Sequence, residues 1–136
     1  SLDRQVVWGL YTYKNDSEEI DIEFSRWGFE GNQEAQYAIQ PSHKMGNKAR
    51  FRMNLEGTLS THLFDWTKKR IDFASYHGHR KYPVNETEII ARWRYYGDDI
   101  PPDSDERLKM NLWLFRGIPP ADGEETEVVI DRVEII

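Results

Sequence analysis

The chain contains no cysteine, which excludes disulfide bonds and thiolate metal sites from its 136 residues. It also lacks any apolar run near the roughly 20 residues that a membrane-spanning helix requires. Lys and Arg are dispersed along a chain of net charge −6, so the basic surface typical of nucleic-acid binding is missing. We therefore expect neither a nucleic acid nor a membrane as the partner.

The chain is rich in aromatic residues, which make up 13% of it. Along many segments, residue types also alternate with a period of two. This aromatic content is typical of a folded chain. Nine segments that alternate or are rich in β-branched and aromatic residues are separated by turn residues: 5–13, 19–25, 34–40, 50–55, 58–66, 70–77, 88–96, 107–115 and 127–136. Because no segment has a helical period, the pattern predicts one all-β domain over residues 1–136, an antiparallel sandwich or barrel.

One of these segments, EIDIEF at 19–24, alternates carboxylates with apolar residues. Alternate side chains of a strand share a face, so Glu19, Asp21 and Glu23 point one way and the apolar residues point to the core. Neighbouring like charges on a sheet repel each other, which disfavours a purely structural role. For an isolated E-x-D-x-E pattern, a solvated acidic face on an edge strand is nevertheless the commoner explanation.

The spacing of the three carboxylates is compatible with acid–base chemistry. At roughly 3.3 Å per residue, the Cα atoms of Glu19 and Glu23 lie about 13 Å apart. Side chains that lean toward each other can bring the carboxyl groups to about 5–6 Å, the separation expected in a retaining glycosidase. One carboxylate would then attack the anomeric carbon, and the other, its pKa raised by its neighbours, would protonate the leaving oxygen.

EIDIEF, the WG that follows it and the NLW much further along together resemble the signature of glycoside hydrolase family 16. The order of GLYTY, EIDIEF, QYAIQ, THLFDW, RIDF, KMNLWLF and VVIDRVEI is similar to the order of segments in the lichenases of that family. The resemblance implies a concanavalin A-like jelly roll in an extracellular or periplasmic protein. It also implies a retaining glycoside hydrolase or transglycosylase that acts on a β-linked glucan-type polysaccharide by double displacement.

The same resemblance assigns roles to the acidic strand. Glu19 would be the nucleophile, Asp21 the assisting carboxylate and Glu23 the general acid/base. No cofactor is required for this chemistry. The family often binds a structural calcium ion through an aspartate in its closing strand, and Asp131 occupies the similar position here.

Further residues are expected to contact the sugar. In RLKMNLWLF the residues Leu108, Met110, Leu112 and Leu114 should face the core, so the alternate residues Asn111 and Trp113 share the side of the carboxylates. A Trp beside an Asn suits a pyranose, which stacks its apolar face on an aromatic ring and hydrogen-bonds amides. Gln36, Gln40 and, more weakly, Tyr11 are the other predicted substrate-binding residues. Ala38 and Ser17 depart from the family pattern.

Two alternatives stay open from sequence. A carbohydrate-binding module could use the same scaffold with carboxylates that only accept hydrogen bonds, and an adhesion or scaffold domain is a weaker possibility. The resemblance also begins in the middle of the family fold. We therefore expect the C-terminal part of a longer catalytic domain, with an upstream segment or a second chain completing the sheets. A bare sheet edge is then expected at residues 6–13 or 127–136.

Overall fold

The computed structural model describes residues 2–83 and 85–136 and has eight β-strands there. The strands are β1 (Val6–Asn15), β2 (Glu18–Phe24), β3 (Ala35–Ile39), β4 (Lys48–Phe51), β5 (Ser60–Trp66), β6 (Ile71–His77), β7 (Ile89–Tyr95) and β8 (Arg107–Leu114). Two 3₁₀ turns, Glu86–Glu88 and Phe115–Gly117, are the only helical elements in these ranges. Neither turn is long or apolar enough to cross a membrane.

The strands form two antiparallel sheets. Five strands make one sheet in the order β4-β3-β2-β1-β8, and three make the other in the order β5-β6-β7. This confirms the prediction of an all-β, antiparallel domain. The acidic strand β2 lies in the middle of the larger sheet, hydrogen-bonded on both sides, and is therefore not the solvated edge strand that an isolated pattern would favour.

The core lies between the two sheets and is largely built from β2, β3, β6 and β7. Tyr37 of β3 is fully buried and stacks on Phe73 of β6, with 4.8 Å between the ring centroids. The Tyr37 hydroxyl donates a hydrogen bond to Ser75 Oγ at 2.7 Å. Because Ser75 belongs to β6, this bond and the stacked rings join one sheet to the other, as in a β-sandwich.

The prediction of a ninth strand at Glu127–Ile136 is wrong. Residues 118–136 contain no strand, because the alternating sequence there has no partner to complete a hydrogen-bonded ladder. The expectation of a bare sheet edge at residues 6–13 is also wrong, since β1 is paired with β2 on one side and with β8 on the other. The edge strand beside β1 is β8.

The apolar side of β8 is less covered than its sequence predicts. Its four apolar residues share the side opposite the carboxylates, but each is between 37% and 45% exposed: Leu108, Met110, Leu112 and Leu114. The buried core cluster includes no residue of β8. The smaller sheet therefore leaves this side of the larger sheet partly open to solvent.

The bond between the sheets gives a stability prediction. Tyr37→Phe should lower the free energy of unfolding by about 1–2 kcal/mol, because Ser75 Oγ loses a buried donor. Urea denaturation measures the change. Tyr76→Phe is the matched control at another buried tyrosine, since its hydroxyl makes no hydrogen bond within the described residues, and should change stability much less. Equal losses in the two variants would show that the Tyr37–Ser75 bond contributes nothing specific.

Candidate active site

The strand register places the three carboxylates on one side of the larger sheet. Glu19, Asp21 and Glu23 of β2 lie opposite Tyr13, Tyr11 and Gly9 of β1, respectively. Directly paired residues of an antiparallel ladder share a face. The intervening residues Ile20, Ile22 and Phe24 are at most 4% exposed and form part of the core. The predicted alternation of β2 is therefore confirmed.

The carboxylates line a shallow cleft of about 240 Å³. Its lining residues are Gly9, Tyr11, Tyr13, Glu19, Asp21, Glu23, Lys109, Asn111 and Trp113. The predicted substrate-binding residues of β1 and β8 thus lie in the same cleft as the acidic triad. Tyr13 and Lys109 are cleft residues that the sequence reasoning missed.

Asp21 is the most enclosed of the three carboxyl groups, with 2% of its surface exposed. It accepts a hydrogen bond from Gln40 Nε2 at 3.1 Å, and Glu19 lies beside it on the same face of β2. Burial raises the pKa of Asp21 far above its usual value, and the neighbouring Glu19 and the charge of Glu23 raise it further, against a smaller lowering by Gln40. Asp21 can therefore hold a proton between its neighbours near neutral pH.

Glu23 is held by a chain of side chains that reaches across the sheet. Gln36 Nε2 donates to Glu23 Oε2 at 2.6 Å, and Arg50 Nε donates to Gln36 Oε1 at 3.1 Å. The guanidinium group of Arg50 lies 4.3 Å from the ring centre of Trp27. Trp27 and Arg50 thereby fix the amide that orients Glu23, and neither was predicted. Gln36 and Gln40 both contact carboxylates directly, while their sugar contacts stay a prediction.

The pKa of Glu23 is also raised, and burial is the largest cause. The hydrogen bond from Gln36 opposes this rise, as do the positive charges of Lys48 and Arg50, while the charge of Glu19 adds to it. A carboxyl group whose proton is held more tightly than usual suits general acid chemistry. Glu23 shares this property with Asp21, whose pKa is raised further.

A glycine shapes the wall between β1 and β8. Asn111 Nδ2 donates to the Tyr11 hydroxyl at 3.3 Å, and a Cβ atom at Gly9 would lie only 2.8 Å from Asn111 Oδ1. Gly9 therefore leaves the room that the Asn111 side chain occupies. Trp113, further along β8, is 42% exposed and available as a stacking surface.

Asp131 lies outside the cleft, in the segment that forms no strand. Its Oδ2 atom is 3.3 Å from His79 Nδ1, and the described residues contain no cluster of three or more acidic or histidine side chains that could hold a metal ion. Calcium prefers six to eight oxygen ligands, and an imidazole nitrogen is not one of them. The surroundings of Asp131 therefore do not fit a calcium site, and the calcium ion stays a prediction from resemblance alone.

A larger cavity of about 420 Å³ lies elsewhere, lined by the β3–β4 loop and the end of β7. Its polar groups are bonded to one another: Lys44 Nζ and Asn47 Nδ2 contact Asp99 at 2.6 and 2.9 Å, and Tyr95 donates to Asn47 at 2.8 Å. Size alone does not identify a reactive site. We place the candidate active site in the smaller cleft because it holds carboxyl groups with raised pKa values.

The chain matches no protein-family model, no curated protein and no solved structure.

The burial of Asp21 gives a prediction about stability and pH. The unfolded chain ionises this carboxyl near pH 4, whereas the fold keeps it protonated to a much higher pH. Its ionisation therefore opposes folding increasingly as the pH rises above about 4. Asp21→Asn removes this cost and should raise the free energy of unfolding at pH 7 by about 1 kcal/mol or more. The gain should shrink toward zero at pH 4 in urea denaturation.

Asp72→Asn is the control of opposite sign. Hydrogen bonds from Arg94 and Arg70 lower the pKa of Asp72, so its ionised form supports folding above the unfolded pKa, and that support is lost as the pH falls. The Asn variant should therefore be less stable than the parent at pH 7. If Asp21→Asn were destabilising at every pH, the burial of Asp21 would not be costly.

Proposed function

We propose that this protein is a retaining glycoside hydrolase or transglycosylase that acts on a β-linked glucan-type polysaccharide. The observation that carries the proposal is the placement of Glu19, Asp21 and Glu23 side by side in one cleft, with Asp21 almost fully enclosed. The fold that we propose is the concanavalin A-like jelly roll of glycoside hydrolase family 16, which the motif EIDIEF and the later NLW resemble. An extracellular or periplasmic location follows from the same resemblance.

In the first step the Glu19 carboxylate attacks the anomeric carbon, and a covalent ester forms as the glycosidic C–O bond breaks. Glu23 gives its proton to the departing oxygen. In the second step Glu23 takes a proton from water, or from a sugar hydroxyl in transglycosylation, and the incoming oxygen displaces Glu19. The configuration at the anomeric carbon is retained because two inversions have occurred.

Three features of the cleft support this division of roles. The raised pKa of Glu23 suits the group that must hold a proton before reaction. Asp21 neighbours Glu19 on the same face of β2, and the proton that it retains can be donated to the attacking carboxylate. Trp113 and Asn111 provide the aromatic and amide surfaces that a pyranose requires.

A carbohydrate-binding module is the second candidate, and the open shape of the cleft favours it. The cleft is shallow, and Trp113 is a partly exposed aromatic residue on its wall. In that role the carboxyl groups would accept hydrogen bonds from sugar hydroxyls without chemistry. A reducing-sugar assay on a panel of β-glucans separates the two functions, because only the enzyme releases new reducing ends.

The roles of the two glutamates predict different products with external azide. Glu19→Ala should lower turnover roughly a thousandfold or more, and azide should then yield a glycosyl azide of inverted configuration. Glu23→Ala should stay active only on substrates with good leaving groups, and azide should give the retained product. Proton NMR of the products measures the configuration.

The matched control is Glu18→Ala, which removes a carboxylate from the same strand. Glu18 interacts with Asn15 and Lys14 outside the cleft and should not be required for turnover. Near-parental activity of either Glu19→Ala or Glu23→Ala on polysaccharide would contradict the assignment.

The pH profile gives a separate prediction. Activity should be bell-shaped, with both limbs belonging to the acidic cluster, because no histidine lines the cleft among the described residues. Replacing His43, His77 and His79 by Gln should leave both limbs in place. His62 is omitted because it is half-buried in contact with Ser60 and Ser75, and burial lowers its pKa to about 4. A limb that moved in the triple variant would contradict the carboxylate mechanism.

A further inference from the structure

Four cationic residues flank the acidic cleft on the two outer strands of the larger sheet. Lys48 and Arg50 belong to β4, and Arg107 and Lys109 belong to β8. Neighbouring strands are about 4.8 Å apart, so each pair lies roughly 10 Å from the acidic strand β2, on opposite sides of it.

The strand register places all four on the side of the carboxylates. Across β3, Arg50 pairs with Gln36, which itself pairs with Glu23, and Lys48 pairs with Ala38 beside Asp21. Across β1, Lys109 pairs with Tyr11 and Arg107 with Tyr13, which lie opposite Asp21 and Glu19. We call these four residues the cationic flanks: Lys48, Arg50, Arg107 and Lys109.

The cationic flanks form no ion pairs in the part of the chain that the structure describes, although the chain has a net charge of −6. At least ten of its 18 Lys and Arg residues do form ion pairs with carboxylates. Arg50 contacts an amide and the Trp27 ring, and Lys109 Nζ lies 4.0 Å from the Tyr13 ring centre. All four residues are exposed, so their charges are available to a ligand.

Neutralising the triad is not a sufficient role for these charges. Four fixed cations face three carboxyl groups, and the raised pKa values of Asp21 and Glu23 reduce the negative charge that those groups carry. The charges of Lys48 and Arg50 lower the pKa of Glu23 from a distance, but within the described residues none of the four cations contacts a carboxylate as Lys44 contacts Asp99 at 2.6 Å. The positive charge that flanks the cleft therefore exceeds what the triad requires.

We propose that the cleft binds an acidic polysaccharide, whose carboxylate or sulfate groups contact the cationic flanks on either side of the bond that is cleaved. This proposal narrows the substrate of the proposed glycosidase and rests on that function. A sugar chain lying across the strands meets β8, then the carboxylates of β2, then β4. Its anionic groups contact cations at both ends and are kept away from the acidic strand, where like charges would repel them.

Binding, measured apart from turnover, tests the proposal. The probes are a neutral β-glucan and the carboxymethylated and sulfated derivatives of the same polymer, titrated by calorimetry at low and high salt. The protein should bind at least one charged derivative about tenfold or more tighter than the neutral polymer at low salt, and high salt should reduce the difference. The two derivatives distinguish carboxylate from sulfate as the recognised group.

The variant Lys48→Gln/Arg107→Gln removes one cation from each flank and should lose most of that preference. Arg50 is left unchanged because it orients Glu23 through Gln36. The matched control is Lys68→Gln/Lys69→Gln, the same change of charge at two exposed lysines in the β5–β6 turn without ion pairs among the described residues. The control should keep the preference of the parent protein.

The outcomes separate this proposal from the proposed function. Cleavage of neutral glucan with equal binding of all three polymers overturns the acidic-substrate proposal and leaves the glycosidase intact. Selective, flank-dependent binding of a charged polymer without cleavage supports recognition of an acidic polysaccharide by the cationic flanks and contradicts the enzyme. Equal losses of the preference for charged polymers in the two double variants overturn the proposal. Equally tight, flank-dependent binding of single-stranded DNA also overturns it, because the surface would then attract any polyanion.

Discussion

The two faces of β2 impose opposite requirements on the same seven residues. One face must bury Ile20, Ile22 and Phe24 against the smaller sheet, and the other must hold three carboxyl groups beside one another. Because the strand is central, neither face can move without breaking hydrogen bonds to β1 and β3. The backbone that carries the three carboxyl groups is therefore held by ladders on both sides, as a site that positions reacting groups requires.

The acidic face is costly to the fold. Enclosing a carboxyl group disfavours its charged form, and this desolvation is the largest cause of the raised pKa values of Asp21 and Glu23. Apolar burial on the opposite face offsets it, at about 1.5–3 kcal/mol for each large side chain. The amides of Gln36 and Gln40 limit the remaining penalty by donating to carboxylate oxygens. Such a balance between stability and chemistry is typical of functional sites.

The larger sheet extends beyond the smaller one, and this has different consequences on its two sides. On the cleft side, β8 brings Asn111, Trp113 and Lys109 beside the triad. On the other side, its apolar residues stay more than a third exposed, as Leu112 does at 45%. The same strand thus completes the cleft and leaves an apolar surface that the described residues do not cover.

The sequence by itself determined most strands and the content of the acidic face, because period-two alternation is a local property that survives in any strand pairing. It did not determine where β4 ends. The pattern predicted 50–55, but the strand is Lys48–Phe51, since its partner β3 begins at Ala35, opposite Phe51. The failure at Glu127–Ile136 has the same cause, because a strand requires a partner as well as a suitable sequence.

Only the tertiary structure decided which residues share the cleft. The alternating cations in KAR at 48–50 and RLK at 107–109 were visible as a period-two signal, yet nothing local indicates that two distant segments flank the same strand. The contacts of Arg50 with Gln36 and Trp27 likewise depend on strand order. Sequence spacing fixes the face on which a side chain lies within its own strand, whereas the neighbours across a sheet are set by long-range pairing.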